Sequence, residues 1–241
     1  MIYCNVMQEQ KGIITSVILL RAIAALGVCF VHLKMLTDFK TSAFLNYIFV
    51  NGQQGVTIFF VISGFILPYS LYKKQYQIKD FFNFILKRSV RVDPPYWCCI
   101  LLLFILTPLP FSDFNFRGIL FHITYLVPFI KSAHWYSDIF WTLSIEFQFY
   151  ILLGLLYPVF MKLPYYVSIL IIVLVSALCL KFTYRGIIIA NLYQFAFGYI
   201  AFMAYTNMID RKKFIIVFVL FTAYIVYAKS IISGIIPGCT V

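Results

Sequence analysis

Residues 13–33 read IITSVILLRAIAALGVCFVHL, an apolar stretch that contains two ionisable side chains, Arg21 and His32. An α-helix needs about 20 predominantly apolar residues to cross the hydrocarbon core of a bilayer. The stretch therefore predicts a membrane-spanning helix and decides the fold class. It is too long for the apolar part of a cleavable signal peptide, which has about 7–15 residues, so we expect an uncleaved first span.

The composition of the whole chain agrees with this prediction. Of 241 residues, 63% are hydrophobic and 11% are charged, and the mean hydropathy is +0.95. A soluble domain carries about 25% charged residues because its surface faces water. The composition thus excludes a soluble globule and argues against a nucleic-acid partner, so we attribute the net charge of +11 to membrane topology. The six cysteines form no CxxC pair, and the sequence predicts no bound metal.

Applied along the chain, the same criterion predicts an all-α, polytopic transmembrane helical bundle. We expect a single domain over residues 1–241, embedded in a lipid bilayer, with about seven spans. The expected spans are 13–33, 50–72, 94–106, 139–160, 165–180, 187–205 and 214–227.

Two further segments are expected at the membrane without crossing it. Residues 118–130 are apolar but too few to span a bilayer, which predicts a short re-entrant or interfacial segment. Residues 73–91 alternate basic and apolar side chains, which is typical of an amphipathic helix on the membrane surface. The densest Lys and Arg clusters, at 73–91 and 211–213, fall on the same side as the N-terminus and predict that it is cytoplasmic.

Arg21 and His32 are the ionisable residues of the first span, and such residues inside a membrane are costly and often functional. They lie 11 residues apart, about three helical turns, so they share one helix face at a separation of about 16 Å. They cannot touch, but they could line one passage from opposite ends. Snorkelling or simple packing is the alternative interpretation.

Glu146 lies about two turns from the outer end of its span, at a depth similar to that of His32. A carboxylate at that depth needs a partner. We hypothesise a pair between Glu146 and His32, in which the carboxylate would raise the basicity of the imidazole and fix its tautomer. A purely structural polar pair between helices is the alternative.

Arg88 and Arg91 are three residues apart and are therefore neighbours on a helix. Paired guanidinium groups suit phosphate recognition. At an inner membrane interface they could equally bind anionic lipid or set the topology.

The pair Ser63-Gly64 lies in the second span. A nucleophile elbow needs glycine two positions before the serine, and Val61 stands there, so that motif fails. Small residues at this position instead predict a close approach between two helices.

Taken together, these segments resemble the integral-membrane acyltransferase-3 family, whose members O-acylate surface glycans. The similar segments, in chain order, are Arg21–His32, Gly55–Ile66, Lys87–Trp97, Trp141–Tyr150 and Phe195–Gly198. The resemblance covers residues 16–204, and its specificity rests on the order of the segments rather than on any one of them.

The resemblance implies an enzyme that moves an acyl group, usually acetyl, from cytoplasmic acyl-CoA to a sugar hydroxyl of a cell-surface polysaccharide or lipid-linked glycan. Arg88 and Arg91 would hold the phosphates of CoA, and Arg21 would line the inner passage. His32 would act as general base or transient acyl carrier, and Glu146 would orient or polarise it. No permanently bound cofactor is implied, the location would be a bacterial inner membrane, and the oligomeric state stays open.

Three features depart from the family pattern. Thr57 stands where relatives often have Asp. Asp93 stands at a usually apolar or aromatic position, where pairing with Arg91 would weaken phosphate binding. Relatives continue with more spans, so we expect a C-terminally short member. A truncated, non-catalytic relative is one alternative function. A transporter or flippase of a glycan intermediate is another, although transporters usually show a duplicated half and this sequence shows no repeat.

Overall fold

The computed structural model describes residues 2–37, 42–106, 115–182, 184 and 186–235. Within these ranges the chain consists of α-helices joined by turns and short 3₁₀ segments, with no β-strand. The helices are α1 (Ile2–Thr37), α2 (Ala43–Asn51), α3 (Gln54–Lys73), α4 (Phe81–Leu106), α5 (Phe116–Ile123), α6 (Phe140–Phe160), α7 (Tyr165–Cys179), α8 (Leu192–Tyr205) and α9 (Arg211–Ile235). The predicted all-α class is confirmed.

In the described part of the chain, six helical segments are long and apolar enough to cross a membrane. They are Thr15–Met35, Ala43–Lys73, Ile78–Leu106, Phe140–Phe160, Ile188–Tyr205 and Arg211–Ser230. The predicted span at 165–180 is the apolar helix α7, which is shorter, with 15 residues. The multi-pass architecture is therefore confirmed. Pro108 and Pro110, which follow the predicted third span 94–106 and lack the N–H group that a helix needs, lie outside the described residues.

The basic segment 73–91 differs from its prediction as a separate surface helix. From Phe81 onward it is the first half of α4, which continues through Pro94 and Pro95 to Leu106. Proline usually ends or kinks a helix because it lacks an N–H group, but its fixed φ is compatible with a helix. Buried aromatic rings on both sides of the prolines pack against α6, so the two halves are held in one helix. These contacts are Phe84 with Tyr150, at a ring-centroid distance of 6.4 Å, and Tyr96 with Phe140, at 4.9 Å.

Helix α3 lies at the centre of the bundle and packs against α1, α6 and α8. Gly64 faces the backbone of Phe195, and Gly198 faces the backbone of Val61. A Cβ atom at either glycine would overlap the opposing carbonyl oxygen, so the two backbones can approach this closely only without a side chain there. The close packing that Ser63-Gly64 predicts is confirmed.

Helix α1 packs on α2 and α3 through small residues. Gly27 faces Gly52, and Ala24 faces Gly55. These pairings make α1 antiparallel to α3. Arg21, almost one turn before Ala24, therefore lies further along α3 than Gly55, in the direction of Ser63.

Residues 115–139, the described part of the chain between α4 and α6, form α5 and a short 3₁₀ turn at Val127–Phe129, and neither piece is long enough to span. His122 is only 1% exposed and joins two parts of this segment through its imidazole ring. Its Nδ1 lies 2.8 Å from the Gly118 carbonyl oxygen, and its Nε2 lies 3.1 Å from the Tyr136 backbone nitrogen. The carbonyl can only accept and the amide can only donate, so the imidazole is neutral with its proton on Nδ1. Burial lowers the pKa of His122, against a smaller opposing effect of the Gly118 hydrogen bond.

Candidate functional site

Glu146 belongs to a hydrogen-bonded group inside the bundle. Its carboxylate is half-buried on α6, and one oxygen, Oε1, accepts from the Tyr150 hydroxyl at 2.6 Å and from the Ser63 hydroxyl at 3.3 Å. Tyr150 lies one turn further along α6, and Ser63 reaches across from α3. Each of these two donor residues is only 3% exposed. The carboxylate thus has the partners that an intramembrane charge needs, but they are hydroxyl groups rather than an imidazole.

Two arginines supply positive charge to this hydrogen-bonded group. The Arg88 guanidinium lies within electrostatic range of Glu146, Tyr150 and Arg21. Tyr150 is likewise within range of Arg88 and Arg21. Arg88 is half-buried, and its guanidinium carbon lies 5.6 Å from the centre of the Phe84 ring. We call Arg21, Ser63, Arg88, Glu146 and Tyr150 the central polar group.

The sequence places Arg88 at the inner interface and Glu146 near the outer end of its span, but the structure brings them into electrostatic range. The cause is the continuity of α4. Its first half is part of a long helix that packs on α6, and Arg88 is half-buried there while Lys87 and Arg91 are exposed. Because α4 runs antiparallel to α6, the turn that carries Arg88 comes beside the turns that carry Glu146 and Tyr150.

An open cavity of about 380 Å³ adjoins the central polar group, between the end of α3 and the start of α4. Its charged lining has four bases and one acid: Lys74, Lys87, Arg88, Arg91 and Asp80. The Asp80 carboxylate also accepts a hydrogen bond from the Gln77 backbone at 3.0 Å. The volume is within the range of about 300–1,000 Å³ typical of small-molecule sites, and the excess positive charge suits an anion. Arg88 and Arg91 therefore share one cavity, and Arg88 also belongs to the central polar group.

His32 lies apart from this group. It is half-buried on α1, and no hydrogen bond or ion pair joins it to Glu146 in the described part of the chain. On the same helix, Arg21 is instead within electrostatic range of Tyr150 and Arg88. Because Arg21 and His32 are about three turns apart on one helix, only one of them can lie at the depth of Glu146. The hypothesised pair between His32 and Glu146 therefore forms no hydrogen bond or ion pair within the described residues, and the role of His32 stays a prediction.

Asp93 does not take the partner that the sequence suggests. Its Oδ1 accepts a hydrogen bond of 2.8 Å from the Tyr125 hydroxyl instead of pairing with Arg91. Residues two apart on a helix point to different sides, which separates Asp93 from Arg91. Burial, together with the bond to Asp93, raises the pKa of the Tyr125 hydroxyl, so it stays a donor. The Tyr125 ring also stacks on Phe147 at 4.5 Å, next to Glu146.

Thr57 keeps a polar contact within the bundle. Its hydroxyl oxygen lies 3.4 Å from Gln194 Nε2, which also donates to the Tyr193 hydroxyl at 2.8 Å. Gln194 is 6% exposed. Its Oε1 has no hydrogen-bond partner among the described residues. The amide of Gln194 therefore supplies a polar partner for Thr57.

Ser63 and Tyr150 are partners of Glu146 that the sequence analysis did not identify. The signal for Tyr150 is its spacing, because a tyrosine four residues after a glutamate lies on the same helix face. Ser63 gives no such signal, because a sequence shows the depth of a residue along its span but not which faces of two helices meet.

The fold and these sites define a polytopic membrane protein with an ionisable group inside its bundle, next to a basic cavity. A family model described as an acyltransferase domain matches residues 14–235. The chain therefore belongs to this acyltransferase family, as its motifs predict, and its general class is that of a membrane acyltransferase. No curated protein and no solved structure is significantly similar to it.

Proposed function

We propose that this protein transfers an acyl group, in the first place acetyl, from cytoplasmic acyl-CoA to a sugar hydroxyl of a cell-surface or lipid-linked glycan. The family supports acyl transfer in a membrane. The basic cavity beside the central polar group is the single observation that carries the choice of donor.

CoA is a donor with a diphosphate and a 3′-phosphate, and it needs a site that compensates several negative charges. The cavity offers Lys74, Lys87, Arg88 and Arg91 against Asp80. Guanidinium groups can bind phosphate oxygens in a bidentate manner, which favours Arg88 and Arg91 as the main contacts. With the phosphates there, the thioester end would extend past Arg88 and Arg21 into the bundle.

In the proposed reaction, the sugar oxygen bonds to the acyl carbon, the thioester C–S bond breaks, and the hydroxyl proton passes through a base to the departing thiolate. His32 is the proposed base, or the carrier of a transient acyl group. A positioned base contributes typically about 10²–10⁴-fold to such a rate. Glu146, in the central polar group, is the proposed orienting or polarising carboxylate. It would act on His32 through a substrate bound in the space between the two residues.

The proposed setting is the inner (plasma) membrane of a bacterium, with the N-terminus and the basic cavity facing the cytoplasm. The basic residues at 211–213 would then also face the cytoplasm, as the positive-inside rule requires. Acyl-CoA would be drawn from the cytoplasmic pool, and the acceptor would be met on the opposite side.

The donor assignment can be tested by binding of radiolabelled acetyl-CoA to the purified chain in nanodiscs. Arg88→Ala and Arg91→Ala are each expected to weaken binding by roughly 10- to 100-fold, the range for a lost hydrogen bond to a charged group. Lys212→Ala is the matched control, because it removes an exposed cation at the start of α9 and leaves the cavity lining unchanged. Equal affinity of all four proteins would contradict the proposed donor site, and absence of binding to the native chain would favour a non-catalytic relative.

A further inference from the structure

We infer that Ser63 and Tyr150 are positioning residues for Glu146: they hold one carboxylate oxygen so that the other is presented to the reacting groups. This inference rests on the proposed function, which gives Glu146 its role. It assigns a task to two hydroxyl groups that the reaction scheme itself does not use.

The two hydrogen bonds converge on a single atom. Tyr150 and Ser63 both donate to Oε1 of Glu146, at 2.6 and 3.3 Å. Among the described residues, no hydrogen bond is made to the second oxygen, Oε2. An ionised carboxylate can accept on both oxygens, so a new donor would meet the oxygen that is not already bonded. Oε2 is therefore the atom available to a substrate hydroxyl, to an amide N–H in the pantetheine arm of acyl-CoA, or to an imidazole.

The two donors are themselves held in place. The Tyr150 ring is 3% exposed and packs edge-on against Phe84 at 6.4 Å. Ser63 is also 3% exposed, and its neighbour Gly64 is pressed against the backbone of Phe195. A glutamate side chain has several rotatable bonds, and fixing it costs conformational entropy. Bonds from two different helices, each anchored by packing, restrict the carboxylate before any substrate arrives.

The positive charges complete this arrangement. Arg88 and Arg21 are both within electrostatic range of Tyr150, but the hydrogen bonds to Glu146 come from hydroxyls. Hydroxyl donors fix the direction of the carboxylate without the compensation of charge that a direct guanidinium pair would give. The orientation of Glu146 is thus set by Ser63 and Tyr150 and not by a direct ion pair.

The test is a double-mutant cycle on acetyl transfer from acetyl-CoA, measured in nanodiscs. Tyr150→Phe and Ser63→Ala are each expected to lower kcat by roughly 10- to 100-fold, the effect of one lost bond to a charged group. The KM for acetyl-CoA is expected to change less than about twofold, because neither residue lines the cavity. In a Glu146→Gln background, Tyr150→Phe is expected to add little, because its effect passes through the carboxylate.

Tyr199→Phe is the matched control. Tyr199 is also buried, at 6% exposure, but its hydroxyl has no hydrogen-bond partner in the described part of the chain. Its removal should leave kcat unchanged. The inference is overturned if Tyr150→Phe lowers kcat as much with Gln at position 146 as with Glu, because that result would show a merely structural role. It is also overturned if Tyr150→Phe has the activity of the native chain.

A second measurement separates this inference from the proposed function. If the native chain transfers no acetyl group, the proposed function fails, and the rate at which a hydrophobic carbodiimide modifies Glu146 then decides the positioning role. Loss of a donor leaves the carboxylate free to turn toward the reagent, so Tyr150→Phe and Ser63→Ala should each speed the modification. Peptide mapping distinguishes Glu146 from Asp93. Unchanged rates in both variants would contradict the positioning role.

Discussion

Replacing His122 by phenylalanine should destabilise residues 115–139, the segment before α6, and the size of the effect should depend on pH. The substitution keeps an aromatic ring that can stack on Tyr136, which lies 3.9 Å away between ring centroids. It removes both hydrogen bonds of the imidazole, the one to the Gly118 carbonyl and the one from the Tyr136 backbone N–H. Because both groups are half-buried, we expect a loss of about 2–3 kcal/mol in the free energy of unfolding at pH 7.5.

The pH dependence follows from the lowered pKa of His122, whose ordinary value is 6.5. Below about pH 6.5 the unfolded chain binds a proton on this residue that the folded chain does not. The free energy of unfolding of the native chain therefore falls with falling pH, by at most about 1.4 kcal/mol per pH unit, until the folded form also binds the proton. His122→Phe lacks this loss, so its deficit relative to the native chain should shrink from pH 7.5 to pH 5.5.

The assay is unfolding in detergent micelles followed by tryptophan fluorescence, since Trp135 lies 5.9 Å from the His122 ring. His134→Phe is the control, because His134 is an exposed histidine of the same segment. The reasoning is refuted if the deficit of His122→Phe is the same at both pH values or grows on acidification.

Two further predictions concern packing and polar contacts. Tyr125→Phe should cost about 1.5–3 kcal/mol of stability, because it leaves the half-buried Asp93 carboxylate without its donor; an unchanged melting temperature would show that this bond contributes nothing. Gly64→Ala should lower the melting temperature and the yield of folded protein far more than Gly154→Ala. The first places a methyl group against a backbone carbonyl of α8, whereas the second meets a phenylalanine ring at 2.9 Å that can move. Similar yields for both alanine variants would contradict this packing.

The sequence predicts much of the fold because hydropathy alone determines which segments can lie in a bilayer. The spans that include Arg21 and Glu146 lie where the apolar runs indicate. The start of the third span differs from its prediction. The pair Pro94-Pro95 indicates a helix start, whereas α4 begins at Phe81. Aromatic rings on both sides of the prolines pack on α6 and keep the helix continuous, which a single sequence does not reveal.

The candidate site is less predictable for a related reason. Arg88 and Arg91 can be paired from their spacing within one helix, and the structure places both on one cavity. The partner of Glu146 depends on how three helices are rotated about their axes, which a single sequence does not specify. Depth alone suggests His32, whereas the rotation of α3 brings Ser63 to the carboxylate.

The most direct test of the proposed acyl transfer uses membranes that contain the native chain, His32→Ala or the control His134→Ala. Radiolabelled acetyl-CoA is supplied on the cytoplasmic side, and the label is followed into the glycan fraction. The proposed function predicts that label accumulates with the native chain and with His134→Ala and is lost with His32→Ala. Equal labelling by His32→Ala would remove His32 from the reaction. No labelling by a stably inserted native chain would contradict the assignment of this protein as an active O-acyltransferase.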